Sequence, residues 1–153
     1  MEEARPYQRT LDKFTVGQIF EHLPRKTVTE SDNNLFCLLT MNHHPIHLDR
    51  EYAKQHQHGT IMVVGTYVLS LVVGMTVADI SGTAIANLEY ERVLHQAPVF
   101  IGDTLRAQSE VLDVTRSRSK PERGVLYVET VAFNQKDQKV LTFRRKVLLP
   151  FCE

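Results

Sequence analysis

Residues 59–78 read GTIMVVGTYVLSLVVGMTVA, an unbroken run without one charged side chain. A stretch this long raises a membrane span, which needs about 20 consecutive apolar residues. Gly65, Thr66, Tyr67, Ser70, Gly74 and Thr76 make it only moderately apolar, and it stands alone in the chain. The reading that fits is a buried core helix over 65–80, hydrophobic on most sides because other elements cover it.

What surrounds the run is strand. Residues 83–93 (TAIANLEYERV) alternate in part, and HQAPVFIGDT then supplies a Pro and a Gly-Asp turn. Segments 105–115, 124–134 and 140–149 follow, all enriched in Val, Leu, Tyr, Thr and Phe. Lys136-Asp137-Gln138 predicts the hairpin turn between the last two. Upstream, residues 1–13 form a polar arm, 14–20 carry a Gly turn, and 26–30 alternate as a strand. One long helix followed by a run of antiparallel strands is an α+β architecture. At 153 residues the chain is expected to be a single domain, 1–153, able to bury its own core.

The chemistry concentrates in 31–53, SDNNLFCLLTMNHHPIHLDREYA. Leu35, Leu38 and Leu39 recur at helical spacing behind Ser31 and Asp32, which predicts a capped amphipathic helix. Pro45 disfavours helix at His44 and ends that run. Asp49 then caps a second short helix over 50–55. Between the two lies a loop carrying Asn42, His43, His44 and His47, and apolar helices on both sides would keep it partly dry. An imidazole in such a setting works as a base near neutral pH, whereas a His-rich surface turn would do nothing. His56 and His58 follow closely, so a metal site is the third reading. HHxxH then HxH matches no zinc pattern, and no metal is expected.

The run Phe36, Leu39, Thr40, Pro45, Ile46, His47, Asp49 resembles the signature of the MaoC-like, or (R)-specific enoyl-CoA hydratase, family. That signature reads aromatic, spacer, aliphatic, Ser or Thr, Gly-Asp-x-Asn-Pro-aliphatic-His-x-Asp. The resemblance implies a hot-dog fold, an antiparallel sheet wrapped round one long helix, and an Asp–His catalytic pair. His47 matches the His; Asn42 stands at the Asp, Met41 at the Gly and His44 at the Asn. Gly65 matches the Gly that opens the family's central helix, where a free N–H and the positive end of the helix dipole suit a carbonyl oxygen gaining charge. Gly65 also permits close packing, and the two roles are compatible. PVFIGDTL, 98–105, is similar to a recurrent segment of hot-dog dehydratases.

The loop RSRSKPERG, 116–124, is either a phosphate-binding hairpin or a solvated charged turn. Ser117-Arg118-Ser119-Lys120-Pro121 resembles a Ser-basic-Ser-basic-Pro stretch of mesaconyl-CoA and itaconyl-CoA hydratase-like proteins, as do TMNHHPIH and IANLEYERV. That resemblance implies a substrate-binding role for His44, Arg116, Ser117, Arg118, Ser119 and Lys120.

Eighteen basic and eighteen acidic residues cancel, which offers no electrostatic footprint for nucleic acid or an anionic membrane. Two cysteines, Cys37 and Cys152, make no disulfide framework, and the charged start MEEARPYQR is unlike an exported leader, so a reducing cytoplasm is expected. The resemblance implies reversible hydration of an α,β-unsaturated acyl-CoA, with CoA as part of the substrate and no separate cofactor. His47 would be the base, Asn42 a water-orienting partner and the Gly65 N–H the oxyanion donor. It also implies a homodimer or a dimer of dimers with the acyl-CoA between subunits. Asn42 cannot titrate, which keeps open an acyl-CoA-binding protein without turnover. A thioesterase is a further alternative, although the run from Gly59 offers no carboxylate for one.

Overall fold

The computed structural model describes residues 5–153. Residues 1–4 of the expected arm lie outside the described residues. Strand β1 (Ile19–Thr27) leads into three short helices, α1 (Glu30–Leu39), α2 (Pro45–Leu48) and α3 (Arg50–Lys54). The long helix α4 (Gly65–Thr76) runs into a wide turn, Val77–Ser81, before strands β2 (Ala86–Leu94), β3 (Thr104–Arg116), β4 (Arg123–Phe133) and β5 (Lys139–Pro150). The five strands form one antiparallel sheet in the order β1-β3-β4-β5-β2. The sheet curls round α4, which is the expected α+β hot-dog arrangement.

Helix α4 forms although Val, Thr and Gly are poor helix residues, each costing up to about 1 kcal/mol against Ala. Burying an aliphatic side chain returns about 1.5–3 kcal/mol, so packing decides. Val68, Val72 and Thr76, one turn apart, are buried. The two valines meet Leu105 and Ala107 of β3, Ala132 of β4 and Phe143 of β5. The expectation of a helix buried on most sides holds for that stripe only. Thr66, Ser70 and Gly74 form an exposed stripe, because the sheet of one chain covers one side of the helix. Among the described residues no helix is long and apolar enough to cross a membrane.

The strand pattern follows from period-two alternation. On β4, Leu126, Val128, Thr130 and Ala132 face in; on β5, Phe143, Arg145, Val147 and Leu149 do. The four strands expected after the helix are all present, and Asp137 sits in the last hairpin turn with a positive φ of 56°. The far end of the sheet is closed by a second apolar cluster of Leu11, Phe14, Ile80, Val111, Leu126 and Leu149. Leu11 is wholly buried and the Tyr7 N–H donates to the Ala78 carbonyl at 2.8 Å. Leu11 is therefore part of the core, while residues 5–8 of the arm stay exposed.

Four expectations for the N-terminal half are corrected. The strand lies at Ile19–Thr27, not over 26–30, because Val28 turns inward and Thr29 already caps α1. The cap is Thr29, not Ser31 or Asp32. The Asp32 N–H donates to Thr29 Oγ1 at 3.2 Å and the Thr29 N–H to Asp32 Oδ2 at 2.9 Å, a capping box. Lys26 Nζ at 2.8 Å and that backbone N–H hold the Asp32 carboxyl down at about 2. Leu35, Leu38 and Leu39 face solvent, while Asn33 and Cys37 are the buried pair of α1. Finally, α3 buries only Ala53, so the histidine loop is not flanked by two apolar helices.

Candidate active site

Helix α1 ends at Thr40, and Met41 takes a positive φ of 61°, which swings the chain back toward the core. The Asn42 N–H donates to the Cys37 carbonyl at 3.1 Å, and Asn42 Oδ1 accepts from the His44 N–H at 3.3 Å. His44 caps α2, its Nδ1 accepting from the Ile46 N–H at 3.1 Å, with Pro45 at the first helical position. In its neutral form the His44 ring therefore carries its proton on Nε2. Asp49 caps α3 as expected, accepting from the Tyr52 N–H at 3.0 Å.

His47 lies on the single turn of α2 rather than in open loop, and is 9 % exposed. Its Nδ1 is 2.6 Å from the Met62 carbonyl oxygen. A carbonyl only accepts, so Nδ1 carries the proton and Nε2 of the neutral ring keeps its lone pair. Met62 is held in turn: its N–H donates to the Ile46 carbonyl at 3.2 Å, and it bridges to Phe100 in antiparallel fashion. The tautomer that a general base requires is thus set by two layers of backbone.

Asn33 is the residue that sequence patterning missed. It is wholly buried, its Nδ2 donates to the His47 carbonyl at 2.9 Å, and its Oδ1 accepts from the Val64 N–H at 3.1 Å. One carboxamide thereby ties the histidine turn to the residue that starts α4. Phe36 and Tyr67 add an edge contact between α1 and α4, with ring centroids 5.6 Å apart. Burial, then the Asp32 charge, pushes the Tyr67 phenol up to about 12.

At the start of α4, no acceptor among the described residues meets the Gly65 N–H. The second role foreseen for Gly65, close packing, is realised by His95. A Cβ at position 65 would stand 3.1 Å from His95 Cε1 and 3.3 Å from its Nε2, so any larger residue would push the ring back by a few tenths of an ångström. Beside it opens a cavity of about 310 Å³ bounded by His58, Met62, Val68, His95, Gln96 and Val99, among others. His47 stands behind Met62 and does not line it. No group of three or more His, Cys, Asp or Glu side chains among the described residues is placed to hold a metal ion.

Of the expected site residues, Asn42, His44 and His47 are neighbours, and the Met62–Val64 segment links them to Gly65. Arg116, Ser117, Arg118, Ser119 and Lys120 are not brought to them. The His47 corner packs by residues 98–103, where β3 begins, through the Val63–Val99 and Val28–Asp103 backbone bonds. The basic loop follows the last residue of β3, 13 residues on, which is roughly 40 Å along the strand. Arg116 is also committed locally, donating to the Pro121 carbonyl at 2.6 Å, lying 3.9 Å over the Phe151 ring and pairing with Glu153 at 3.1 Å. Asp49 is used as a cap, and Glu51 pairs with Lys54 at 2.6 Å on the surface, so neither stands in for the carboxylate that Asn42 lacks.

The chain is similar to several known proteins. It is 33 % identical over 141 residues to the mesaconyl-CoA hydratase of Cereibacter sphaeroides, covering 92 % of this chain and 41 % of that protein. It therefore spans about two fifths of the length of the curated relatives it matches first. A solved structure described as a monoamine oxidase regulatory protein from Archaeoglobus fulgius superposes with a TM-score of 0.84 at 31 % identity, over 95 % of this chain and 96 % of that one. The (R)-hydratase from A. caviae, described as involved in PHA biosynthesis, superposes with a TM-score of 0.75 at 26 % identity, over 90 % of this chain and 98 % of that one. The MaoC like domain family matches residues 13–132, from the end of the arm through the His47 turn and α4 to β4, and the chain belongs to that family.

Proposed function

We propose that this protein hydrates the double bond of an α,β-unsaturated acyl-CoA, or runs the reverse dehydration, and that its substrate is a short dicarboxylic ester of the mesaconyl-CoA type. The observation that carries the reading is His47, buried and fixed by the Met62 carbonyl with Nε2 left as the base, and tied through Met62 to the segment that leads into the open Gly65 N–H. The likeness to an (R)-hydratase of nearly the same length supports hydration, and the likeness to a mesaconyl-CoA hydratase supports the dicarboxylic acyl group.

In this mechanism the thioester oxygen accepts from the Gly65 N–H, which stabilises the enolate formed as water adds to Cβ. His47 Nε2 takes a proton from that water and returns it to Cα, so one proton is moved and none is consumed. No electrons change hands, and the chemistry requires no cofactor beyond the CoA of the substrate. Asn42 orients the water through its amide, since it cannot exchange protons. An amide at this position avoids setting a second anion beside the carboxylate of the substrate, a repulsion of several kcal/mol at low effective dielectric. A protein that binds acyl-CoA without turnover is the second reading, favoured by the same residue.

The CoA moiety is proposed to cross to a second copy, because within one chain the loop 117–120 is at the other end of the sheet. β2 supports such pairing: it is an edge strand with Leu88, Val93 and Leu94 exposed. A monomeric mass in solution refutes this assembly. The function itself is tested by following the enoyl-thioester absorbance with crotonyl-CoA, mesaconyl-CoA and itaconyl-CoA. Loss of the band that His47→Ala abolishes supports hydration; an unchanged band with every ester, alongside tight CoA-ester binding, supports the binding protein.

A further inference from the structure

We infer that the cavity beside Gly65 is a receptor for a carboxylate on the acyl chain, with His95 and His58 as the two side chains that recognise it. This deepens the proposed function and rests on it for the identity of the CoA ester. The inference comes from what borders the cavity. Its walls are largely apolar, with Met62, Val68 and Val99 among them, and among the described residues no Asp or Glu lines it. Two imidazoles interrupt those walls. The His95 ring packs over Gly65 and makes no hydrogen bond to any described residue. The His58 ring rests edge-on against Phe100, centroids 5.5 Å apart, and likewise has no hydrogen-bond partner among the described residues. The third polar side chain is already used, because Gln96 Nε2 donates to Thr142 Oγ1 at 2.6 Å.

An open, largely apolar pocket of about 310 Å³ is the size of a small-ligand site, in which a few placed polar groups set specificity. Each imidazole offers an N–H donor in its neutral form and two when protonated, so both rings can donate to an anion at any pH near neutral. With no carboxylate of the protein lining the cavity, the charge it lacks is negative. An acyl group anchored by its thioester oxygen at the Gly65 N–H places a short chain beside His95. A carboxylate at the end of that chain accepts from the two imidazoles, which are solvent-exposed, whereas a plain alkyl chain offers them no acceptor. Discrimination between the two esters is expected because only the carboxylate can accept from the two imidazoles, which otherwise donate to solvent.

Succinyl-CoA and butyryl-CoA provide the test. Both carry a four-carbon acyl group, only the first has the carboxylate, and neither can be hydrated, so calorimetry reads affinity whether or not the protein turns anything over. The wild-type protein is expected to bind succinyl-CoA at least tenfold more tightly, with His95→Phe and His58→Phe each cutting the preference about tenfold. His95→Gln, which keeps an N–H donor, should retain part of it. His58 lies in an exposed loop, so its variant serves if His95→Phe does not fold. Equal affinities in the wild type, or a preference that survives both Phe variants, overturn the inference. Failure of the hydratase reading is separate: it shows as an unchanged enoyl band with every unsaturated ester, whatever the calorimetry gives.

Discussion

Asn33→Ala isolates what holds the His47 corner together. The side chain removed is fully buried and makes two bonds, to the His47 carbonyl at 2.9 Å and from the Val64 N–H at 3.1 Å. Neither backbone group has another partner among the described residues that could take over. Stranding a buried donor or acceptor costs about 1–3 kcal/mol each, so the pair gives roughly 2–6 kcal/mol, and water entering the space left behind offsets part of it. We expect a net loss near 3 kcal/mol, which for a chain of this size is a fall in melting temperature of about 6–12 °C. Urea denaturation with an unchanged slope should show the same loss as a shifted midpoint. Asn33→Asp is the sharper variant. It keeps the acceptor for Val64 but turns an oxygen toward the His47 carbonyl, so it should lower turnover of a hydrated ester more than stability explains. A change below about 1 kcal/mol in Asn33→Ala would refute the claim that this carboxamide spans the two segments.

Thr29→Ala removes one half of the α1 capping box and should cost about 0.5–2 kcal/mol in denaturant midpoint; no loss would mean the helix is capped by Asp32 alone. Asn42→Asp should raise the KM for mesaconyl-CoA more than that for crotonyl-CoA, and equal effects would refute repulsion between carboxylates as the reason for the amide. His22 is buried with Nδ1 2.7 Å from Asp79 and Nε2 2.7 Å from Ser109 Oγ, and burial outweighs the Asp79 charge in lowering its pKa below 6.5. The unfolded chain then binds more protons than the native one below pH 6.5, so this contribution to stability is present above that pH and is lost as pH falls. Chemical denaturation between pH 7.5 and 5 should show that slope, His22→Asn should flatten it, and an equal slope in both would exclude His22 as its source.

Much of this was readable because it is local. Alternation over β3, β4 and β5 and the uncharged run of α4 each depend on neighbours a few positions away, whereas α1 ends at Thr40 and Met41, ahead of Pro45, which instead opens α2. The orientation of α1 was not readable, because two choices compete. Leu35, Leu38 and Leu39 look like the buried face, yet the helix turns Asn33 inward to bond residues 14 and 31 positions on. Turning the leucines in would cost those bonds and the contact of Phe36 with Tyr67. The three leucines stay outside at 59–75 % exposure, a surface that one chain does not fill. The site divides on the same line. His47 could be found from its motif, but His95 could not, since its meaning comes from a ring lying over a glycine 30 positions earlier.

Polar residues at inward strand positions were the signal left unused. Ser109 sits between Ala107 and Val111, Thr130 between Val128 and Ala132, and Arg145 between Phe143 and Val147, each in the register of the core. Ser109 bonds His22 on one side and Thr130 on the other, both at 2.7 Å. Arg145 donates to Thr76 Oγ1 at 2.8 Å and Ser81 Oγ at 3.2 Å, and its burial pushes the guanidinium pKa down. Arg145 meets the C-terminal end of α4 and the turn after it directly, and Ser109 reaches Asp79 of that turn through His22. The two ends of the helix are thus built for different work. The far end fixes the helix in the sheet by buried hydrogen bonds that an apolar core could not aim. At the Gly65 end the polar anchor is Asn33, beside the packing of Val63, Val68 and the Phe36–Tyr67 pair, and the N–H and its two neighbouring imidazoles have no protein partner among the described residues.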